Sequence, residues 1–268
     1  MRDRGVSEVV SFVLVFGLVV SSLGVVYVSG FSGLEDARDA ERINNGERAF
    51  DVLADNVADI YNEGAPSRKT EVKLADAQLT LAEPTSFRVT VDDIEDASGN
   101  DTVFRSETRP LVFSTNNGPS RIVYENGAII RSDRGGAILQ KAPPLLISEE
   151  QTVIGYVVMS PTSDTTTAVS GDATVLVRTV RVGQSTLVQD RDNDVNVTLT
   201  IETTTARAAV WEKYVNERAD WAGSDWDDGD NVPCETTDIG GGRSEVVCTF
   251  GPDEFYLTST GIETQLVS

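Results

Sequence analysis

Residues 9–28 read VVSFVLVFGLVVSSLGVVYV, twenty positions without a charge, and the uncharged run continues to Leu34. Twenty helical residues span about 30 Å, the thickness of a bilayer hydrocarbon core. Helix is also one of only two backbone states that can cross lipid. The run therefore predicts a membrane-spanning helix, longer than the apolar core of a secretory signal. Ser29-Gly30 imitates a small-residue cleavage site, so a cleaved signal stays as the lesser alternative. Further on, Ile43, Phe50 and Val57 recur at seven-residue steps, with Leu53 and Ile60 at the complementary positions and charges on most other faces. That pattern predicts an amphipathic helix ending near Asn62-Glu-Gly64, either a stalk that continues the first helix or the first core helix of the domain that follows. Gly46, preceded by Asn44-Asn45, is its expected weak point and kink.

Beyond Pro66 the period changes from helical to two. Strands are expected over 71–81 (partly alternating), 86–94, 103–113, 121–124 and 128–131. Asn126-Gly127 marks a two-residue hairpin. Pro143-Pro144 breaks the chain, and further strands are expected over 152–159, 174–182, 186–189 and 196–202. Residues 206–221 (ARAAVWEKYVNERADW) predict a second helix with Ala206, Val210, Tyr214 and Trp221 on one stripe. The last strands are expected over 244–250, 254–257 and 260–267. No βαβ pattern occurs, which argues for an antiparallel, sandwich-like domain. The expected fold is α+β, divided into a charged leader (1–5), a transmembrane helix (6–33), an amphipathic stalk helix (34–63) and a β-rich domain (64–268).

Composition narrows the chemistry. Histidine is absent, which removes imidazole bases and histidine metal sites. The two cysteines are too few for a structural zinc site. With 43 acids against 22 bases, net charge −21, nucleic acid is excluded as a partner. Only four bases are lysine and 18 are arginine. Charge this far from zero repels itself and opposes compaction, whereas at molar salt the Debye length falls to roughly 3 Å. The composition is read as adaptation to high salt. No P-loop, dinucleotide fingerprint or nucleophile elbow occurs, and no carboxylate pair stands out, so neither an enzyme nor a cofactor is expected.

A few residues carry candidate chemistry. Cys234 and Cys248 flank Gly240-Gly-Gly242 and are expected to pair as in exported domains. Asp190, Asp192 and Asp194 alternate like the start of a calcium loop, but Val195 stands where that loop needs glycine. Asp225-Trp-Asp227-Asp228-Gly-Asp230 is denser and also off pattern. Asn100 and Asn196 begin N-glycosylation sequons, which chance supplies in a chain this rich in Ser and Thr. Gly17, Ser21 and Gly24 share one face of the first helix, where another helix can approach closely.

Arg4-Gly5-Val6-Ser7-Glu8-Val9-Val10 resembles the N-terminus of archaeal type IV pilin-like proteins, and in particular an uncharacterised haloarchaeal membrane protein family. Residues 31–42 (FSGLEDARDAER), Ala65-Pro-Ser-Arg68 and Arg134-Gly-Gly136 add to that likeness. The resemblance implies a class III signal cut between Gly5 and Val6. Glu8 would then either sit solvated among headgroups or pair with the new amine of Val6 in a neighbouring subunit. Many haloarchaeal pilins have Pro where this chain has Glu8, a departure that speaks against the major pilin. Arg2 and Arg4 precede the apolar helix, and Arg38, Arg42 and Arg48 come after it, so basic residues alone do not set the topology. The long, cysteine-paired C-terminal part is expected outside the cell.

The function these readings imply is a non-catalytic, pilin-like surface protein inserted in the lipid bilayer, a minor subunit of a filament or adhesin. Its partners would be the bilayer and copies of itself or other pilin-like subunits. The alternative is a permanently anchored external module that binds the cell-surface layer or another envelope component. The high-salt reading makes its own prediction. Dialysis of the purified chain into low-salt buffer should unfold it, as monitored by circular dichroism; a spectrum indifferent to salt would overturn the reading.

Overall fold

In the computed structural model the described residues are 4–95, 101–115, 118–134, 136–163, 166–190, 195–219 and 233–268. Helix α1 (Arg4–Asn62) carries both N-terminal patterns in one element. Residues 9–30 are exposed throughout, and the helix is long and apolar enough to cross a membrane. From Ile43 onward its character changes: Ile43, Phe50, Leu53, Val57 and Ile60 are at most 3% exposed. Helix geometry continues through Gly46, and this glycine has a packing reason. A Cβ there would stand 2.9 Å from Ile122 Cδ1 and from the Phe113 ring. The helix stops at Gly64, whose φ of +73° suits glycine. The Ala65 and Glu63 N–H groups both donate to the Asp59 carbonyl at 3.1 Å, closing the end as left-handed caps do.

The chain divides into two compact units, 1–42 and 43–268. The division falls inside the expected stalk, so residues 43–62 belong with the strands. Those strands are β1 (Ser67–Lys73), β2 (Ala77–Leu81), β3 (Thr85–Glu95), β4 (Asp101–Thr108), β5 (Leu111–Thr115) and β6 (Arg121–Glu125). Next come β7 (Ala128–Asp133), β8 (Gly136–Lys141), β9 (Leu145–Ile147), β10 (Gln151–Pro161) and β11 (Ala168–Gly171). The chain continues with β12 (Thr174–Asp190), β13 (Val197–Thr204) and helix α2 (Thr205–Asn216). It closes with β14 (Cys234–Gly240), β15 (Arg243–Phe250) and β16 (Glu254–Val267).

Among the described residues three sheets form: β1-β12-β16-β10-β9, then β11-β2-β5-β6-β7-β8, then β14-β15-β13-β3-β4. Pairing is antiparallel except between β10 and β16, which run parallel in register from Gln151↔Glu254 to Pro161↔Thr264. The α+β class and the mainly antiparallel sheets agree with the sequence reading; that parallel pair lies outside it. The strand expected over 71–81 breaks into β1 and β2, because Ala75 and Asp76 turn with positive φ. The segment 103–113 also splits. Pro110 cannot donate to a ladder, and β4 and β5 on either side of it enter different sheets. Conversely, β12 and β16 each span two of the expected segments. The β12–β16 ladder absorbs the irregularities at 181–183 and 186–188 as register shifts. Strands β8, β9, β11 and β14 lie outside the sequence reading. Asn126 and Gly127 form the expected hairpin turn with φ of +47° and +83°. Helix α2 ends at Asn216, five residues short of the expected end, and Trp221 lies outside the described residues.

Two hydrophobic cores result. One gathers the α1 stripe with Val175, Val177 and Ile262 of the first sheet and Leu79, Phe113 and Ile122 of the second. The other gathers Val89, Leu199 and Ile201 of the third sheet, Val123 and Ile130 of the second, and Trp211 and Tyr214 of α2. Neighbours Ile122 and Val123 thus face opposite cores, as do Ile129 and Ile130. A strand buried on both faces reads as a continuous apolar run, which is why 122–124 and 128–130 do not alternate. Tyr124 and Tyr156 bury hydroxyls that find no hydrogen-bond partner among the described residues, and burial raises the pKa of both. At the rim of α1, Glu47 pairs with Arg131 at 2.7 Å, Asp59 with Arg68 at 2.9 Å and Asp55 with Lys141. Half-exposed pairs of this kind add only about 0–1 kcal/mol each, so the apolar stripe carries the attachment.

Gly46→Val should therefore destabilise the folded chain. Overpacking costs about 1–3 kcal/mol, which outweighs the few tenths that valine gains over glycine in helix propensity. Thermal unfolding of the full chain in detergent is the measurement, and a midpoint unchanged from wild type would contradict the close contact.

Candidate functional site

The sequence-derived candidates fall in separate places. Arg4, Gly5, Val6 and Glu8 lie on helical backbone at the start of α1, and their side chains are outside the described residues. Gly17, Ser21 and Gly24 lie on the exposed stretch, and a Cβ at Gly17 or Gly24 would meet nothing within 4 Å. Asp190 ends β12, whereas Asp192, Asp194, Asn100 and the 225–230 acids lie outside the described residues. Asn196 is exposed just before β13. Among the described residues no group of three or more acids or cysteines could hold a metal ion. Cys234 and Cys248 form a disulfide. They are register partners on β14 and β15, and both are buried. The bond therefore pins the edge strand β14, whose other residues are exposed, to the third sheet.

Sequence reasoning missed the most connected polar cluster, centred on Glu125. This carboxylate is 0% exposed. Arg207 Nη1 stands 2.6 Å from its Oε2. Trp211 Nε1 donates to Oε1 at 2.7 Å and the Thr85 hydroxyl to Oε2 at 3.0 Å. The Thr203 hydroxyl lies 3.4 Å from both oxygens. Local structure brings these groups together. Glu125 closes β6 immediately before the Asn126-Gly127 turn. Strand β13 runs directly into α2, so Thr203, Arg207 and Trp211 recur at four-residue steps. Thr85 opens β3, which pairs with β13. The Trp211 ring also meets Phe87 edge-on, with centroids 5.5 Å apart. Both carboxylate oxygens are engaged, so Glu125 acts as a joint between sheets rather than as a base.

Two signals for this joint exist in the sequence. One is an acid set into an apolar hairpin; the other is an arginine four residues before a tryptophan. The expected α2 stripe begins at Ala206, but Ala206 is exposed and Arg207 is buried. The helix is turned so that its interior face includes a charge, because Glu125 waits there to meet it.

A cavity of about 450 Å³ adjoins the joint. Its floor is one face of the second sheet, where Ser114, Arg121 and Ser132 stand in a row across β5, β6 and β7 by register. Its wall is the start of α2, including Thr205, Ala206 and Arg207.

The fold thus defines an α+β protein with one long apolar N-terminal helix, consistent with single-pass membrane anchoring, and a three-sheet domain closed by a disulfide. The chain belongs to a family of unknown function, DUF7289, whose model matches residues 4–263. No curated protein matches it, and no solved structure does.

The joint predicts its own genetics. Glu125→Gln leaves the Arg207 charge buried without its counterion and should cost about 3–5 kcal/mol. Adding Arg207→Met should recover most of that loss, since an apolar replacement of a buried pair is often neutral. Thermal melts of both variants measure this, and a Glu125→Gln chain as stable as wild type would remove the joint from the account.

Proposed function

We propose that this chain is a non-catalytic, membrane-inserted surface protein of the pilin-like kind, with its β domain outside the cell. The observation that carries the reading is the double nature of α1. Residues 9–30 expose apolar side chains on every face, while residues 43–60 of the same helix bury a stripe in the domain core. Bare apolar surface of that extent needs lipid or other apolar helices around it. The Arg4-Gly5-Val6 sequence supplies a cut site of the class III type. Cleavage there frees the apolar helix to leave the bilayer and pack beside copies of itself, with the open Gly17-Ser21-Gly24 face allowing close approach. The Cys234–Cys248 disulfide supports an oxidising, external location for the domain. The role is mechanical: the helix holds and the domain presents. An external module held permanently by an uncleaved helix is the second reading, and the cavity beside α2 favours it.

Mass spectrometry of the protein purified from its own cells tests the proposal. A mature chain beginning at Val6 is the expected result. A chain that retains Arg4-Gly5 would overturn processing and leave the permanent anchor.

A further inference from the structure

The cavity beside α2 departs from the chain's composition. The protein carries 43 acids and 22 bases, yet the cavity lining includes Arg121 and Arg207 and no acid. Arg121 stands between Ser114 and Ser132 across three strands, and it makes no ion pair or hydrogen bond among the described residues. Above it, α2 begins without a capping side chain and without an acid in its first turn. The positive end of the helix dipole and its first N–H groups are therefore not neutralised locally. Only the Thr205 N–H is spent on a neighbour, donating to the Gly242 carbonyl at 3.0 Å.

Arg207 also lines the cavity. It is 6% exposed. Its Nε donates to the Thr204 hydroxyl at 3.0 Å, and its Nη1 faces Glu125.

We propose that the cavity binds a carboxylate carried on a molecule of sugar or amino-acid size. Glu125 cancels the charge of Arg207, so the site holds one net positive charge, that of Arg121, and suits a monoanion. A planar guanidinium, with a serine as register partner on each neighbouring strand, matches the two oxygens of a carboxylate. The helix N-terminus completes the donor set, and the volume of about 450 Å³ leaves room for the rest of the molecule. The inference holds whether α1 stays in the membrane or enters a filament.

Isothermal titration of the full chain in detergent, at the salt concentration that keeps it folded, tests the proposal. The probes are glucuronate and N-acetylalanine, each against its methyl ester. Saturable binding of at least one acid is expected, with its ester failing to bind. Glucuronate alone would identify an acidic sugar, N-acetylalanine alone a peptide C-terminus, and both a bare carboxylate site. Arg121→Gln should weaken binding about tenfold or more, the loss of one charge-assisted pair, while leaving the melting temperature unchanged, because Arg121 holds nothing in the free protein. The proposal fails if neither acid saturates, if the esters bind as well as the acids, or if Arg121→Gln binds as tightly as wild type.

Discussion

The stripe Ile43, Phe50, Leu53, Val57 and Ile60 on α1 is the contact on which the domain depends. It fills the core between the first and second sheets, whose strands come from both ends of the sequence. Each such side chain contributes about 1.5–3 kcal/mol when fully buried. Five together rival the whole net stability of an ordinary domain, about 5–15 kcal/mol. Residues 43–62 of α1 and the sheets are therefore one folding problem.

A second constraint links the layers. The second sheet is buried on both faces at β6 and β7, with one core on each side. Apolar packing is non-directional and does not by itself fix how three sheets meet. The Glu125 cluster adds direction, because a carboxylate with specified donors tolerates few alternative arrangements. It binds the β6–β7 hairpin to the β13–α2 junction and to the start of β3. Its net stabilisation is small, since desolvating both charges offsets most of their attraction. Its contribution lies in orientation: α2 is turned so that Arg207 faces inward and its N-terminus opens on the cavity.

Local pattern is sufficient wherever a single element answers to a single solvent. The apolar run of 9–28, the seven-residue stripe of 43–60 and the Asn126-Gly127 turn are readable because period and length alone decide them. The pairing of Cys234 with Cys248 is readable from there being only two cysteines in the chain. Strands β8, β9, β11 and β14 are hidden for the opposite reason. Each is short or lies at a sheet edge, and a row of exposed residues such as β14 carries no alternation to detect. The joint and the cavity are hidden because their members lie at 85, 121–125 and 203–211, far apart in the chain and unremarkable singly.

The sequence by itself determined the division of α1 into an apolar and an amphipathic half, the β character of the domain beyond α1 and the charge that surrounds it. All of these are properties of neighbouring residues. Tertiary structure alone decided that β10 and β16 run parallel, that Gly46 serves a close approach, and that Glu125 meets Arg207. It alone decided that a chain dominated by acids forms an open cavity whose lining includes two arginines. Those outcomes depend on which surfaces meet once the cores close, and sequence distance carries no information about that.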